Sequence, residues 1–356
     1  LKFGKNTAAF EDTEKGIHIL FDDGEKMDAD IVILTVGVLP DASLAKQAWL
    51  SLGVNGSIAV DDHMRTSDPD IYAVGDAVEI RHFVSGQKAV IALAGPANKE
   101  ARIAADNICG LDSRYNGSAA SSVMKVFDRT VACTGLNEAA AKAAGIDYDK
   151  VVLSPMNHAS YYPGGRGMIM KVVYEKKTER ILGCQIIGMD GVDKRCDVIA
   201  TAMQAGMKAS DLATLDLAYA PPYSSAKDPV NMAGFMIENL EQGMVRQFHW
   251  HDLPGLLERE DIFLLDTRTA KEFGAGHVDG FYHIPVDELR DRLHELPADK
   301  PIYVMCQSGL RSYLSCRILA QKGFDCYNFS GGYSYYKAVV LDEQLAEQTL
   351  PCGMEG

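Results

Sequence analysis

The chain is expected to fold as a multidomain protein of mixed α/β and α+β class, on three grounds. Its 356 residues exceed one ordinary domain. From Arg246 onward, β-rich runs at 262–266, 281–284, 301–305 and 325–329 alternate with helical patterns at 269–274, 286–294, 310–322 and from about 332. That alternation builds a parallel sheet with helices on its faces. Residues 123–243 instead combine strands at 123–134, 150–155, 168–175 and 181–188 with helices at 137–144, 192–205 and 229–241, an α+β pattern. A Gly-, Ser- and Ala-rich stretch from Gly117 to Ser122 marks the boundary before it.

Composition narrows the partners. A net charge of -14 and a pI near 5.1 give no attraction for phosphate backbones, and no Lys/Arg cluster stands out, so nucleic acid is not expected. No apolar run of about 18 residues and no signal-peptide pattern occurs, so neither a membrane span nor export is expected. Eight cysteines (109, 133, 184, 196, 306, 316, 326 and 352) are too sparse for a disulfide scaffold and none form C-x2-C. They fit a reducing, cytoplasmic setting, with seven assigned to packing or surface. No His/Cys/Asp/Glu cluster has metal spacing, so no metal is expected, and His249 and His251 are placed on one face of a short strand around Trp250. The opening Asn6-Thr7-Ala8-Ala9-Phe10 reads as the middle of a domain, as if the chain were truncated.

Taken in order, residues 17–21 predict a strand, Asp22-Asp23-Gly24 a hairpin turn, and 29–34 a continuous apolar strand followed by Gly37 and Pro40. The run from Arg65 to Ala77 leads an apolar segment into Gly75-Asp76. There Gly lets backbone approach a ligand, and the carboxylate can accept hydrogen bonds from hydroxyls. Ala92-Leu93-Ala94-Gly95-Pro96-Ala97-Asn98 then precedes a helical pattern from Lys99 to Cys109, ended by Gly110. In the helix at 192–205, Val198, Ile199, Ala202 and Met203 predict one buried stripe.

The chemistry is expected near Tyr303-Val304-Met305-Cys306-Gln307-Ser308-Gly309-Leu310-Arg311-Ser312, a strand, a Gly-containing loop and a helix start. Such a loop aims backbone N–H groups and the helix dipole at one point, which stabilises a thiolate or a bound anion and makes Cys306 the expected nucleophile. Arg311 follows Cys306 by five residues, giving C-x4-R, one residue shorter than a cysteine-phosphatase loop.

With Leu265-Asp266-Thr267-Arg268, Glu272-Phe273, Gly276-His277-Val278 and His283-Ile284-Pro285 upstream, this loop resembles that of a single-domain rhodanese. The resemblance implies that Cys306 carries sulfane sulfur as a persulfide and that Gln307, Ser308, Gly309, Leu310 and Ser312 form its loop. Arg311 would hold an anionic donor or the loop geometry.

The segments around Gly37 and Gly75-Asp76 resemble flavoprotein disulfide reductases of the FAD-dependent pyridine nucleotide-disulfide oxidoreductase superfamily. Tyr161 in His158-Ala159-Ser160-Tyr161-Tyr162-Pro163-Gly164, and Tyr219 in Ala218-Tyr219-Ala220-Pro221-Pro222-Tyr223-Ser224, resemble the coenzyme A-disulfide reductase and persulfide-reductase branch. The resemblance implies a partial Rossmann-like FAD/NAD(P)-binding region (1–44 and 45–116), an α+β dimerisation domain (117–245) and a rhodanese-like α/β domain (246–356). It implies NAD(P)H at Gly37 and FAD at Gly75, Asp76, Leu93, Ala94 and Tyr219. Coenzyme A falls at Asn98 and Lys227, with Asn98 standing where the family has His, and Tyr161 and Tyr219 reach the sulfur centre across a homodimer. The substrates would be small sulfur species and coenzyme A. The upstream Gly-rich fingerprints and the flavin-facing redox cysteine have no counterpart here, so complete reductase activity is not expected of this chain. Two alternatives stand beside this: a sulfurtransferase or sulfur-binding module whose reductase half only dimerises, and an NADH oxidase of the same family.

Overall fold

A computed structural model describes residue 2 and residues 4–347, with side chains as far as 340; Cys352 lies outside the described residues. The chain forms two compact units, one from the residues up to Leu39 with the chain from Lys337, the other from Pro40 to Tyr336.

In the first unit, β1 (Thr7–Thr13), β2 (Gly16–Phe21) and β3 (Lys26–Ala29) form an antiparallel meander. The predicted turn is present: Gly24 takes φ +86° and its N–H donates to Phe21 O at 3.0 Å. The return strand differs, because β2 pairs with 26–29 and residues 30–39 join no strand. An apolar strand of this kind needs neighbours on its edges and cover on both faces. Among the described residues nothing pairs with it, and Ile31, Ile33, Leu34, Val36, Val38 and Leu39 stay exposed.

The second unit opens with α1 (Ser43–Gln47), β4 (Ile58–Ala59), β5 (Val78–Arg81), β6 (Lys88–Ala89) and α2 (Ala94–Ile108). Val60, Met64, Val78, Ile80 and Ala104 form its core. Helix α2 starts five residues before the predicted Lys99, since Pro96 falls in the first turn, where a backbone N–H has no intrahelical partner to lose. It ends as predicted, with Gly110 at φ +86°. The apolar segment before Gly75 makes one bridge, between Arg65 and Tyr72, because a turn from Asp68 to Ile71 folds it on itself.

Next come β7 (Ser122–Val126), β8 (Arg129–Gly135), α3 (Glu138–Ala143), β9 (Tyr148–Leu153), β10 (Ile169–Glu175), β11 (Ile181–Gly188), α4 (Val192–Gln204) and α5 (Pro229–Glu241). The sheet is antiparallel in the order β7-β8-β11-β10-β9, so the single strand predicted at 123–134 is a hairpin, turned at Phe127 with φ +50°. Val192, Cys196, Ile199, Ala202 and Met203 of α4 pack on the sheet, joined by Val230, Ala233 and Ile237 of α5. Val198 sits at the rim of that stripe, only half-buried.

The last part holds β12 (Gln247–Phe248), α6 (Leu253–Leu257), β13 (Phe263–Asp266), α7 (Ala270–Gly274), β14 (Tyr282–His283), β15 (Ile302–Met305), α8 (Leu310–Gln321), β16 (Cys326–Phe329) and α9 (Gly332–Glu347). All pairings in its sheet, ordered β12-β16-β15-β13-β14, are parallel. The helix predicted at 286–294 is a series of turns, with Glu288 N–H bonded to Pro285 O and Asp291 N–H to Glu288 O. These tighter three-residue steps still bury Leu289 and Leu296 in the core, which the apolar spacing required. His249 and His251 are not on a strand: His249 caps a 3₁₀ turn at Trp250–Asp252, and the two rings stack at 5.5 Å.

The centring of the α4 stripe is testable by urea unfolding. Ile199→Ala should cost about 2–5 kcal/mol as a fully buried truncation, and Val198→Ala less than about 1 kcal/mol. Equal losses would place the buried face elsewhere.

Candidate functional site

Between β15 and α8 the backbone turns in four residues, Cys306 to Gly309, with Gly309 left-handed at φ +95° as the cap of α8. The turn points the Gly309 N–H at Cys306 Sγ, 3.1 Å away, and Ser312 Oγ donates to the same sulfur at 3.2 Å. Cys306 is buried, Gln307, Ser308 and Gly309 are half-buried, and Leu310 is exposed. The Gly309 amide faces the sulfur, and the Ser312 hydroxyl, whose single proton is shared between Cys306 Sγ and Gly309 O at 3.1 Å, turns in as a second donor; the arrangement suits a thiolate.

The first turn of α9 closes the loop from behind. Tyr333 N–H donates to Cys306 O at 2.8 Å, Ser334 N–H to Gln307 O at 3.0 Å, and Gln307 Nε2 to Ser334 Oγ at 2.7 Å. Gly332 has no room for a side chain, since a Cβ there would lie 2.7 Å from the nitrogens of Ser308 and Gly309. Sequence reasoning missed Gly332 and Ser334; the Gly331-Gly332 pair one residue after the strand at 325–329 was the available signal for the first.

Arg311 forms a bidentate pair with Glu272, both contacts at 2.7 Å. Glu272 also accepts the N–H of Thr269 at 2.9 Å in the capping box of α7, so the guanidinium fastens α8 to α7. The Arg311 guanidinium holds the Glu272 carboxyl down at about 2. Beneath the loop, Arg268 and Asp266 form a fully buried pair at 2.7 Å, and Arg268 lies 4.0 Å over the Tyr333 ring. Phe273 stacks between His277 and His283, at 4.0 and 4.4 Å.

The second cluster joins two loops of the antiparallel sheet. Tyr161 and Tyr219, 58 residues apart, place their hydroxyls 3.1 Å from each other, and both rings are exposed. That bond raises the Tyr219 hydroxyl above its ordinary pKa. Both loops are anchored by Arg195, buried within the α4 stripe. It donates to Asn157 O at 3.0 Å, Ser224 Oγ at 3.1 Å and Asp228 Oδ2 at 2.9 Å, while Asp228 caps α5 through Val230 N–H at 3.0 Å. Arg195 and Asp228 were not singled out in the sequence, although an Arg four residues before Ile199 on an apolar face, and an Asp-Pro helix start, were visible.

Lys227, beside this network, is exposed with Nζ 6.0 Å over the Phe235 ring. Asn98 is exposed on α2, and Leu93 caps that helix with Ala94 as its first residue. Gly75 is drawn to α2 by its N–H bond to Glu100 Oε2 at 2.8 Å, and burial raises the Glu100 pKa. Gly75 has φ +85° with open space where a Cβ would stand, and Asp76 is exposed. Gly37, φ +95°, belongs to the other unit. No hydrogen bond joins the cysteine loop to the tyrosine pair among the described residues.

One grouping escaped the metal reading: Asp61, Asp62 and His63 bring ligand atoms within 4.8 Å. They are already engaged, His63 with Asp112 at 2.8 Å and Asp62 with Arg114 at 2.9 Å. Cys109, Cys133, Cys184, Cys196, Cys306, Cys316 and Cys326 are free thiols, and burial pushes Cys196 up to about 12. Among the described residues, no helix is long and apolar enough to cross a membrane.

A cysteine presented by a four-residue loop between a central strand and a helix, on an all-parallel sheet, defines a rhodanese-type domain. Residues 250–339 match the rhodanese-like domain, 1–101 the pyridine nucleotide-disulphide oxidoreductase domain and 121–229 the dimerisation domain of that same family. The chain thus carries two pyridine nucleotide-disulphide oxidoreductase regions, over 1–101 and 121–229, together with a rhodanese-like domain. It is similar to the reduced CoADR-RHD of Bacillus anthracis, with TM-score 0.91 and 44% identity over 95% of this chain and 60% of that one. An NAD-dependent persulfide reductase from A. fulgidus gives TM-score 0.85 and 39% identity over 92% of this chain and 59% of that one. The NAD(P)H coenzyme A polysulfide/persulfide reductase of Pyrococcus horikoshii is 35% identical over 230 residues, 65% of this chain and 51% of that protein. The chain thus spans about half the length of the curated relatives it matches.

The Glu272–Arg311 pair sets a pH dependence. With the Glu272 pKa lowered from 4.5 to about 2, its contribution to stability is complete above about pH 4.5 and is lost as the pH falls toward 2. Glu272→Gln should therefore lower the unfolding temperature at pH 6 and narrow the gap to the parent on acidification to pH 2.5. A constant gap across that range would show that the pair does not titrate in this window.

Proposed function

We propose that this chain is part of an FAD- and NAD(P)H-dependent oxidoreductase that reduces coenzyme A disulfide, coenzyme A persulfide or polysulfide, with Cys306 carrying sulfane sulfur. The carrying observation is the Cys306 sulfur under the Gly309 N–H and the Ser312 hydroxyl in a four-residue loop. The relatives named as persulfide and polysulfide reductases support the same reading.

In the transfer step, the Cys306 thiolate attacks the outer sulfur of a donor R–S–SH. The donor S–S bond breaks, R–S⁻ leaves with the electron pair, and Cys306–S–SH forms, so one neutral sulfur atom moves and nothing is oxidised overall. The Gly309 N–H and Ser312 Oγ offset charge on the Cys306 sulfur. Arg311 ties α8 to α7 through Glu272 with two of its five N–H donors, and the rest are left for the loop geometry or an anionic donor.

FAD, when bound, relays two electrons from NAD(P)H. The open approach at Gly75, the exposed Asp76 carboxylate and the α2 start at Leu93-Ala94 fit it, with Gly37 on the NAD(P) side. Lys227 and Asn98 would contact coenzyme A. Tyr161 and Tyr219, exposed and bonded to each other, would reach across a homodimer formed through the dimerisation domain and donate to a leaving thiolate. The free thiols support a cytoplasmic setting.

Cys306→Ser should abolish sulfur transfer from thiosulfate to cyanide, because Ser cannot hold a persulfide; unchanged turnover would end the assignment. In a protein that carries this chain together with complete flavin- and NAD(P)-binding regions, Tyr161→Phe/Tyr219→Phe together should lower NAD(P)H-dependent reduction of coenzyme A persulfide about tenfold to a thousandfold. Flavin content and sulfur transfer at Cys306 should be kept. Reduction at the parent rate would reduce the pair to packing.

A further inference from the structure

Ser330 and Gly331, the two residues between β16 and α9, touch two domains at once. Toward the active site they lead into Gly332, whose backbone fits only as glycine against the nitrogens of Ser308 and Gly309. Toward the antiparallel sheet they meet β9, the outermost strand, which pairs on one side only, with β10. An open strand edge presents unpaired N–H and C=O groups, and alternate residues present them on the same side.

On β9 that free edge is occupied by the rhodanese-like domain. Val152 N–H donates to Ser330 Oγ at 3.1 Å, Ser154 Oγ to Gly331 O at 3.0 Å, and Gln247 Nε2 to Lys150 O at 2.7 Å. Ser330 is 1% exposed, and its own N–H donates to Phe248 O at 2.9 Å. Gly331, at φ +87°, lies so close to β9 that a Cβ would stand 3.0 Å from Val152 Cγ1. From β9 to the sulfur the path therefore runs through Ser330, Gly331, Gly332 and the Gly309 amide, which itself points at Cys306 Sγ.

We propose that Ser330 and Gly331 are positioning residues through which the edge of the dimerisation sheet sets the cysteine loop. On that account the sulfur-transfer site is built against the reductase fold and is not an independently tethered module. The inference rests on the reading of Cys306 as the sulfur-carrying nucleophile. A seam that merely fastened two domains would affect stability; a seam that sets the loop affects Cys306 reactivity first.

The test uses the whole chain with Ser330→Ala, Ser330→Thr and Gln247→Ala. The last removes a seam bond that does not run through the loop's support. Two rates are followed: alkylation of Cys306 by iodoacetamide, read as mass gain at that residue, and sulfur transfer from thiosulfate to cyanide. Ser330→Ala should slow alkylation and lower kcat about threefold to tenfold, the scale of one lost hydrogen bond, with KM for thiosulfate unchanged. Ser330→Thr should restore both rates, and Gln247→Ala should leave both at the parent level. Parent-level alkylation in Ser330→Ala overturns the proposal. So does a loss shared by all three variants alongside a lowered Tm, which is fastening alone. Because alkylation needs no sulfur donor, a parent chain that alkylates at Cys306 but transfers no sulfur would overturn the functional reading while the Ser330 comparison still stands.

Discussion

The constraint on which the sulfur site depends is the four-residue turn that brings the Gly309 N–H to 3.1 Å from Cys306 Sγ. A turn this short between a buried strand and a helix requires a left-handed residue at its end, which Gly309 supplies. It also leaves the carbonyls of Cys306 and Gln307 pointing away from the helix it starts, and the amides of Tyr333 and Ser334 at the start of α9 take them up. Those bonds bring the α9 backbone so near that residue 332 must be glycine as well. The loop is thus held between two helix starts, each contributing amides that would otherwise lack partners.

Buried charge organises the remainder of both candidate sites. Arg268 and Asp266 beneath the cysteine loop, and Arg195 and Asp228 beneath the tyrosine loops, are each almost fully buried and each pair with good geometry. A buried ion pair adds little net stability when replaced as a unit, but losing one partner strands the other charge. What the pairs provide is placement: Arg195 gathers the backbone of Asn157 and the side chains of Ser224 and Asp228, and so fixes the loops that carry Tyr161, Tyr219 and Lys227. Arg268 gathers Gly276 O and stacks on Tyr333, the residue whose amide holds Cys306 O. Arg311 belongs to the same logic at the surface, since its charge is used on Glu272 to tie two helices.

Local signals made much of this legible. The antiparallel sheet and its helices follow from alternation and from the stripe at Ile199, Ala202 and Met203, because core burial enforces those periods whatever the neighbours do. The strand–Gly–helix grammar around Cys306 showed where a thiol would be cradled. Illegible were the features that need a partner distant in sequence. The apolar run at 29–34 reads as a strand, yet a strand exists only through its ladder, and beyond Ala29 nothing described pairs with it. The turns at 286–292 share the apolar spacing of a helix, and only packing of Leu289 and Leu296 decided the tighter hydrogen bonds.

By itself, then, the sequence determined the kinds of element, the order of the three matched regions, the reactive loop and the two tyrosine contexts, since each is written within about a dozen consecutive residues. The tertiary structure alone decided that Tyr161 and Tyr219 meet, that Arg311 is committed to Glu272, that Arg195 and Asp228 hold the tyrosine loops, and that Ser330 takes the free edge of β9. Each of these joins groups 33 to 178 residues apart. No local propensity encodes such contacts, because the two groups become neighbours only once the fold has brought distant segments together; for the buried ones, at Arg195 and Ser330, burial then leaves a polar group with few partners within reach.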